Sequence, residues 1–203
     1  MSFIKNLPNR LTISRIIMIF IFVVFANISA DKINFVNIPA EVSDTCHMIA
    51  FIIAILAGLT DFLDGNIARK YKCESDFGRL MDPVADKIFI AAVFVMLADY
   101  RIIPAWIVVV VLSREFLVTG LRLIAISDGV VISADKSGKL KTAFQMFTLL
   151  IGGAGWVRLF GFDIFNPTIW KLWYGLLLAV TIFTIYSGVS YFVKNYKLIQ
   201  NKF

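Results

Sequence analysis

The sequence predicts an all-α integral membrane protein with six transmembrane helices, a short N-terminal interfacial segment and both termini in the cytoplasm. Of its 203 residues, 59% are hydrophobic and 17% are charged, whereas soluble domains are about 45–50% apolar. The apolar residues form runs that approach the roughly 20 residues a helix needs to cross a bilayer. Basic residues concentrate in every second connection between these runs. No linker or composition change marks a separate soluble domain, so residues 1–203 are predicted to form one membrane domain.

The first predicted element is the polar stretch NLPNRLTISR at positions 6–15. Its few apolar residues among polar ones favour an interfacial segment that leads into the membrane. Pro8 suits the first turn of a helix. The basic residues and the apolar run behind them also resemble a signal peptide, but retention is predicted because Asn9 and Thr12 belong to a motif described below.

Six apolar runs then predict the membrane spans, at positions 12–28, 47–69, 80–98, 104–127, 140–157 and 168–193. The N-terminal arm, the second and fourth connections and the C-terminus are rich in lysine and arginine, while the other connections are poor in them. Basic connections lie on the cytoplasmic side of membrane proteins. The alternation therefore supports six crossings with both termini in the cytoplasm.

The net charge of +6 is interpreted in the same way. In a membrane protein the excess reflects basic cytoplasmic connections and anionic ligands, so no nucleic-acid partner is predicted. The single histidine, His47, excludes a His-rich metal site and is predicted to be a loop or helix-end residue.

Four carboxylates stand out in the stretch DFLDGNIARKYKCESDFGRLMDPVADK at positions 61–87. Asp61 and Asp64 are three residues apart, and Asp82 and Asp86 are four apart, so each pair shares a helix face. The topology puts both pairs at cytoplasmic helix ends, where four carboxylates aimed at one point would repel one another. Either proton uptake or cation binding relieves such repulsion. Oxygen ligands suit Mg²⁺, and paired carboxylates that bridge two metals recur in enzymes acting on phosphate esters.

Small residues flank the carboxylates. Gly65 and Ala68 would leave a notch where a ligand can lie against the helix, and Gly78 comes one turn before Asp82. Pro83 places Asp82 near either a helix start or a kink.

The pattern D-x2-D-G-x2-A-R-x8-G-x3-D-x3-D in this stretch resembles the signature of the CDP-alcohol phosphotransferase family, and every position of it matches. The resemblance implies transfer of a phosphoalcohol group from a CDP donor to an acceptor hydroxyl, with release of CMP. It implies a divalent metal, Mg²⁺ or Mn²⁺, as a pair of ions, and a homodimer. The implied metal ligands are Asp61, Asp64, Asp82 and Asp86, of which Asp86 is also the general base. The implied cytidine-diphosphate site consists of Asp61, Asp64, Gly65, Ala68, Arg69, Gly78 and Asp82.

A second set of residues is basic. Arg114 and Arg122 are eight residues apart in the fourth predicted span, and Lys139 and Lys141 follow in DKSGKLKT. Arginines buried in a membrane require an anion, and their fork geometry matches phosphate oxygens. The lysines alone would fit cytoplasmic anchoring equally well. Glu115 points about 100° away from Arg114 around a helix, so it is predicted to be a poor partner that belongs to a separate network.

NLPNRLT, REFLVTGLR and GKLKT resemble the phosphatidylglycerophosphate synthase branch of the family. This resemblance implies CDP-diacylglycerol as donor and glycerol 3-phosphate as acceptor. Arg114, Arg122, Lys139 and Lys141 then hold the acceptor phosphate, and Asn9 and Thr12 line the cytidine-diphosphate site. The expected location is the cell's inner membrane, with the active site facing the cytoplasm and the lipid bilayer as a partner.

Other functions remain open. Within the family, cardiolipin, phosphatidylserine or phosphatidylinositol-phosphate synthesis would use the same donor chemistry. An intramembrane prenyltransferase also combines aspartates with Mg²⁺ and diphosphate, but the G-x2-A-R spacer has no place in that interpretation. A cation transporter would leave Gly65, Ala68 and the basic set unexplained.

Overall fold

The computed structural model describes residues 7–28, 38–71, 76–127 and 136–196. Side chains are described throughout these ranges except at positions 7–11, 61–71, 76–80, 82–83, 126–127, 136–137 and 139. The described ranges hold six α-helices and no strand: α1 (Leu7–Asn27), α2 (Ala40–Tyr71), α3 (Asp76–Asp99), α4 (Ala105–Ser127), α5 (Lys136–Trp156) and α6 (Pro167–Lys194). The chain divides into two compact units, Met1–Leu97 and Ala98–Phe203.

The all-helical prediction is confirmed, since each predicted apolar run coincides with one helix. Among the residues whose side chains the structure describes, two stretches are long and apolar enough to cross a membrane, Ala40–Thr60 and Pro167–Lys194, and Thr12–Asn27 is a shorter apolar helix. The predicted interfacial segment is continuous with the first apolar run, because α1 begins at Leu7 and has Pro8 in its first turn.

The placement of His47 in a loop or at a helix end is wrong. α2 begins at Ala40, so His47 lies two turns inside the helix, where it is buried. The polar residues before His47 suggested a connection, but they form the first turns of α2, and Thr45 donates its hydroxyl to the Glu41 carbonyl at 2.7 Å.

The first unit is organised by a buried stripe along α1. Its members recur at helical spacing and are Thr12, Arg15, Ile19, Phe22 and Ala26. α1 packs against α2 and contacts α3 at two points along its length. Arg15 reaches Asp86 near the middle of α3, and Asn27 Nδ2 lies 3.7 Å from the sulfur of Met96 near the end of α3. α1 and α3 therefore run in the same direction.

In the second unit, as in the first, the first and third helices run in the same direction. The Trp173 indole donates to the Ile102 carbonyl at 2.7 Å just before α4 begins, and later contacts continue along α4 and α6 in the same order. α4 and α6 therefore run in the same direction. α5 runs opposite to α4, because Lys141 near its start pairs with Glu115 while Trp156 at its end contacts Tyr100.

The interior of the second unit contains polar residues among its apolar ones, and its surface exposes large apolar side chains. The buried residues of α5 and α6 include Lys141, Gln145, Thr148, Thr184 and Ser187. Large apolar side chains such as Leu172, Ile182 and Val193 are exposed on the outside of α6. Thr148 and Thr184 satisfy their hydroxyls by donating to carbonyls one turn earlier, at 2.8 Å in each case. Exposed apolar surface of this kind marks contact with a membrane or with another protein.

Candidate active site

The aspartate signature falls at two helix ends of the first unit. Asp61, Asp64, Gly65, Ala68 and Arg69 lie in the last turns of α2, and Gly78, Asp82 and Asp86 lie in the first turns of α3. The three- and four-residue spacings are therefore helical, so each pair of aspartates is about one turn apart. Except for Asp86, the side chains of these residues lie outside the described part of the chain. Their convergence on one point stays a prediction.

Asp86 is held by an arginine from another helix. Arg15 Nη1 donates to Asp86 Oδ1 at 2.8 Å, and the Arg15 side chain is 1% exposed while that of Asp86 is 45% exposed. A guanidinium carries its charge at all working pH values and presents donors in a fixed plane. Arg15 therefore fixes one carboxylate oxygen of Asp86 while the side chain remains accessible to a substrate.

The sequence interpretation missed this role and counted Arg15 only as a basic residue of the N-terminal arm. The available signal was its spacing, because Arg15 follows Thr12 by three residues and begins the apolar run. Thr12 itself is fully buried on the same stripe of α1. Asn9 lies in the first turn of α1, and its side chain is outside the described part.

The aspartates provide an all-oxygen donor set, which suits Mg²⁺ or Mn²⁺ better than a soft metal. Their positions at the end of α2 and the start of α3 are compatible with such an ion. Among the described side chains no group of three or more histidine, cysteine, aspartate or glutamate residues is gathered, since Asp86 is the one member of the set among them.

The second unit gathers four charged side chains, which we call the α4 charge cluster: Arg114, Glu115, Arg122 and Lys141. Arg114 Nη2 donates to the Ser187 hydroxyl at 2.9 Å. Arg122 Nε donates to the Tyr191 hydroxyl at 3.1 Å, and its guanidinium lies 5.6 Å from the centre of that ring. Both arginines therefore face α6.

The remaining contacts of the cluster centre on Glu115. Its Oε1 lies 3.6 Å from Arg114 Nη1 and is ion-paired with Lys141 Nζ. The structure thus brings Arg114 and Lys141 to the same carboxylate. Lys139 lies two residues before Lys141 in α5, and its side chain is outside the described part.

The expectation that Glu115 is a poor partner for Arg114 is wrong in that the two lie within ion-pair distance, at 3.6 Å, although the closer partner of Glu115 is Lys141. The 100° separation around the helix is real, but both side chains are long enough to bend toward each other. Lys141 also approaches from α5 and draws the Glu115 carboxylate to the same place. Arg114 and Glu115, which are adjacent on α4, therefore belong to one cluster together with Lys141 of α5.

The charge of the cluster favours a doubly negative ligand. Its described side chains comprise three cations and one carboxylate, for a net charge of +2, and Lys141 is 2% exposed. Charges buried away from water require compensation. A phosphate monoester carries about −1.5 to −2 charges near neutral pH, which matches the excess.

Gly188 makes room for Arg114. A Cβ added at Gly188 would lie 3.0 Å from Arg114 Cγ and 3.8 Å from its Nε. The close approach is possible because glycine has no side chain. The sequence interpretation did not single out Gly188, although the small pair Ser187–Gly188 interrupts an otherwise bulky span.

Gln145 is a second residue that the sequence interpretation missed. It is 0% exposed, and neither its Oε1 nor its Nε2 has a hydrogen-bond partner within the part of the chain that the structure describes. It lies one turn after Lys141 and one turn before Thr148 on the same face of α5. The available signal was a lone amide in an apolar span, which is a functional candidate by default.

Comparison with known proteins relates the residues of both units to one enzyme family. The model of the CDP-alcohol phosphatidyltransferase family matches residues 5–186. The CDP-diacylglycerol–glycerol-3-phosphate 3-phosphatidyltransferase of Bacillus subtilis is 34% identical over 198 residues, which cover 96% of this chain and 97% of the relative. The enzyme of the same name from Rickettsia typhi is 35% identical over 190 residues, 93% of this chain and 96% of the relative. The one from Mycoplasma pneumoniae is 30% identical over 208 residues, 98% and 91% of the two chains.

Proposed function

Because the chain belongs to the CDP-alcohol phosphatidyltransferase family, we propose that it transfers the phosphatidyl group of CDP-diacylglycerol to glycerol 3-phosphate. The products are phosphatidylglycerophosphate and CMP. The observation that carries this proposal is the near full-length similarity to relatives named for this reaction. The complete aspartate signature at positions 61–86 and the cationic cluster of the second unit support it independently.

In the proposed reaction, Asp86 takes the proton of the acceptor hydroxyl. The resulting oxygen attacks the β-phosphorus of the donor, a new P–O bond forms, and the P–O bond to CMP breaks. A carboxylate within hydrogen-bond reach of the hydroxyl is a suitable general base. Arg15 supports this role because its hydrogen bond at 2.8 Å holds one oxygen of Asp86 in place.

A divalent metal, Mg²⁺ or Mn²⁺ as a pair of ions, would be held by Asp61, Asp64, Asp82 and Asp86 and would neutralise the donor diphosphate and the departing CMP. The residues assigned to the cytidine-diphosphate group are Asp61, Asp64, Gly65, Ala68, Arg69, Gly78 and Asp82, together with Asn9 and Thr12. Thr12 is fully buried one turn from Arg15 on α1, which supports a place near Asp86.

The acceptor phosphate is assigned to Arg114, Arg122, Lys139 and Lys141. Support comes from the net positive charge of the α4 charge cluster and from the two guanidinium groups that Ser187 and Tyr191 hold on the α6 side. Guanidinium groups bind phosphate oxygens through paired donors. An acceptor without phosphate would leave the net positive charge of the α4 charge cluster unbalanced.

The proposed setting is the inner membrane, with six spans, both termini in the cytoplasm and the active site on the cytoplasmic side. The alternation of basic connections supports it, as do the parallel first and third helices of each unit. The family match extends through residues of both units, which supports one catalytic domain over residues 1–203. A homodimer is proposed from the resemblance to the family.

The test is acceptor-dependent release of CMP from CDP-diacylglycerol by the purified protein with Mg²⁺ or Mn²⁺. Glycerol 3-phosphate should support release, whereas serine, inositol phosphate and phosphatidylglycerol should not. Activity with one of those three acceptors alone would place the chain in another branch of the family. In the same assay Arg114→Ala should raise the KM for glycerol 3-phosphate far more than the KM for the lipid, and the exposed Lys171→Ala serves as the control.

A further inference from the structure

Glu115 is the one acidic residue in the sequences of α4, α5 and α6. These helices carry several basic residues, and two of them, Arg114 and Lys141, meet at the Glu115 carboxylate. Both are among the residues assigned above to the acceptor phosphate. The one anion of the three helices therefore lies where the proposed function requires a second anion to bind.

The contacts show why a carboxylate belongs there when no acceptor is bound. The Lys141 side chain is 2% exposed and that of Glu115 is 15% exposed, so water screens their interaction little. An ammonium group taken out of water without a nearby negative charge is strongly destabilising. Glu115 supplies that charge to Lys141 and, at 3.6 Å, to Arg114.

A phosphate bound to the same two cations would compete with Glu115. The carboxylate and the phosphate offer the same kind of oxygen acceptor to the same donors, and two anions side by side repel each other in a partly buried site. Binding of the acceptor therefore requires that Glu115 release part of its contact with Lys141 and Arg114. The energy of that contact is subtracted from the energy of phosphate binding.

We propose that Glu115 is an internal counter-ion that occupies the cations of the acceptor site in the free enzyme and yields them to the acceptor phosphate. This inference rests on the proposed function of the α4 charge cluster. The exchange selects for ligand charge. A phosphate monoester, with nearly two negative charges, can replace a carboxylate, whereas neutral acceptors such as glycerol cannot.

The experiment measures thermal unfolding of the full-length protein in detergent during titration with glycerol 3-phosphate or with inorganic phosphate. Glu115→Gln should lower the Tm without ligand, because the buried cations lose this counter-ion. It should also lower the Kd for glycerol 3-phosphate by about tenfold, which corresponds to about 1.4 kcal/mol. Inorganic phosphate should show the same direction of change if the phosphate group is what is recognised. Glu41→Gln is the matched control, since Glu41 is exposed in the first turn of α2 and should leave Tm and Kd unchanged.

If the Glu115→Gln variant does not fold, the same titrations are carried out with the Glu115→Asp variant. The shorter side chain keeps the charge but retracts it from Lys141, so the Kd should fall by a smaller factor. A Kd for glycerol 3-phosphate that is unchanged or higher in the variants, while the wild type is stabilised by this ligand, overturns the counter-ion role and leaves the proposed function standing. If neither ligand stabilises the wild type, and CMP release requires a different acceptor, both proposals are wrong.

Discussion

Replacing Gly188 by alanine should weaken binding of the acceptor while changing the stability of the fold little. The added Cβ would lie 3.0 Å from Arg114 Cγ, so the Arg114 side chain has to move by a few tenths of an ångström, because comfortable carbon contacts are longer, at about 3.5–4.0 Å. Its hydrogen bond to Ser187, at 2.9 Å, would then lengthen beyond a good distance. Hydrogen bonds to charged groups contribute about 1.5–3 kcal/mol. If Arg114 loses about half of an interaction of this size with the acceptor phosphate, the KM for glycerol 3-phosphate should rise by about 4- to 12-fold.

The Tm of the Gly188→Ala variant should stay close to that of the wild type, although its KM for glycerol 3-phosphate rises. Alanine is favoured over glycine in a helix by about 1 kcal/mol, which offsets part of the strain of a tight contact. Gly175→Ala is the matched control, because it lies in the same helix and an added Cβ there meets nothing within 4 Å. The assay is CMP release at varied acceptor and at varied lipid, together with the Tm of each variant. Equal acceptor KM values for the two alanine variants would refute the argument that Gly188 positions Arg114 for the acceptor.

Three further predictions concern single side chains. Asp86→Asn should lower kcat for CMP release by about 10²–10⁴-fold, because the amide cannot act as a base, with little change in CDP-diacylglycerol binding; near-full activity would contradict the base assignment. Arg15→Lys keeps the charge but loses the planar guanidinium, so kcat should fall about tenfold at unchanged KM for glycerol 3-phosphate, and a change in KM alone would argue against positioning of Asp86. Gln145→Leu replaces a buried amide that has no hydrogen-bond partner within the described part of the chain. It should raise the free energy of unfolding by about 1–3 kcal/mol in denaturant titrations, and a decrease would show that the amide has a partner.

Helix number and order could be predicted because each helix contains an apolar run, and hydropathy marks such runs directly in the sequence. The start of α2 could not be predicted in the same way. Glu41, Ser43 and Thr45 belong to a polar sequence typical of a connection, yet they lie in the first turns of α2. Thr45 satisfies its hydroxyl there by donating to the Glu41 carbonyl. His47 was misplaced for the same reason. Hydropathy locates the apolar part of a helix but not its polar ends.

The candidate site divides in a similar way. The aspartates could be recognised because their spacing is local to two helix ends. The contacts of Arg15 with Asp86 and of Glu115 with Lys141 join residues far apart in the chain, and no local pattern encodes them. Gly188 is small because of a side chain on another helix, so its role becomes visible only when α4 and α6 are placed together.

Arg114 and Arg122 are both held by residues of α6, and these contacts limit how far the C-terminus can be shortened without loss of activity. The family match ends at residue 186, whereas the partners of Arg114 and Arg122 are Ser187 and Tyr191, in the last two turns of α6. A fragment trimmed to the family-matched residues would keep the whole aspartate signature and lose the supports of both guanidinium groups. Truncations and C-terminal fusions of this enzyme should therefore leave the chain intact through at least Tyr191.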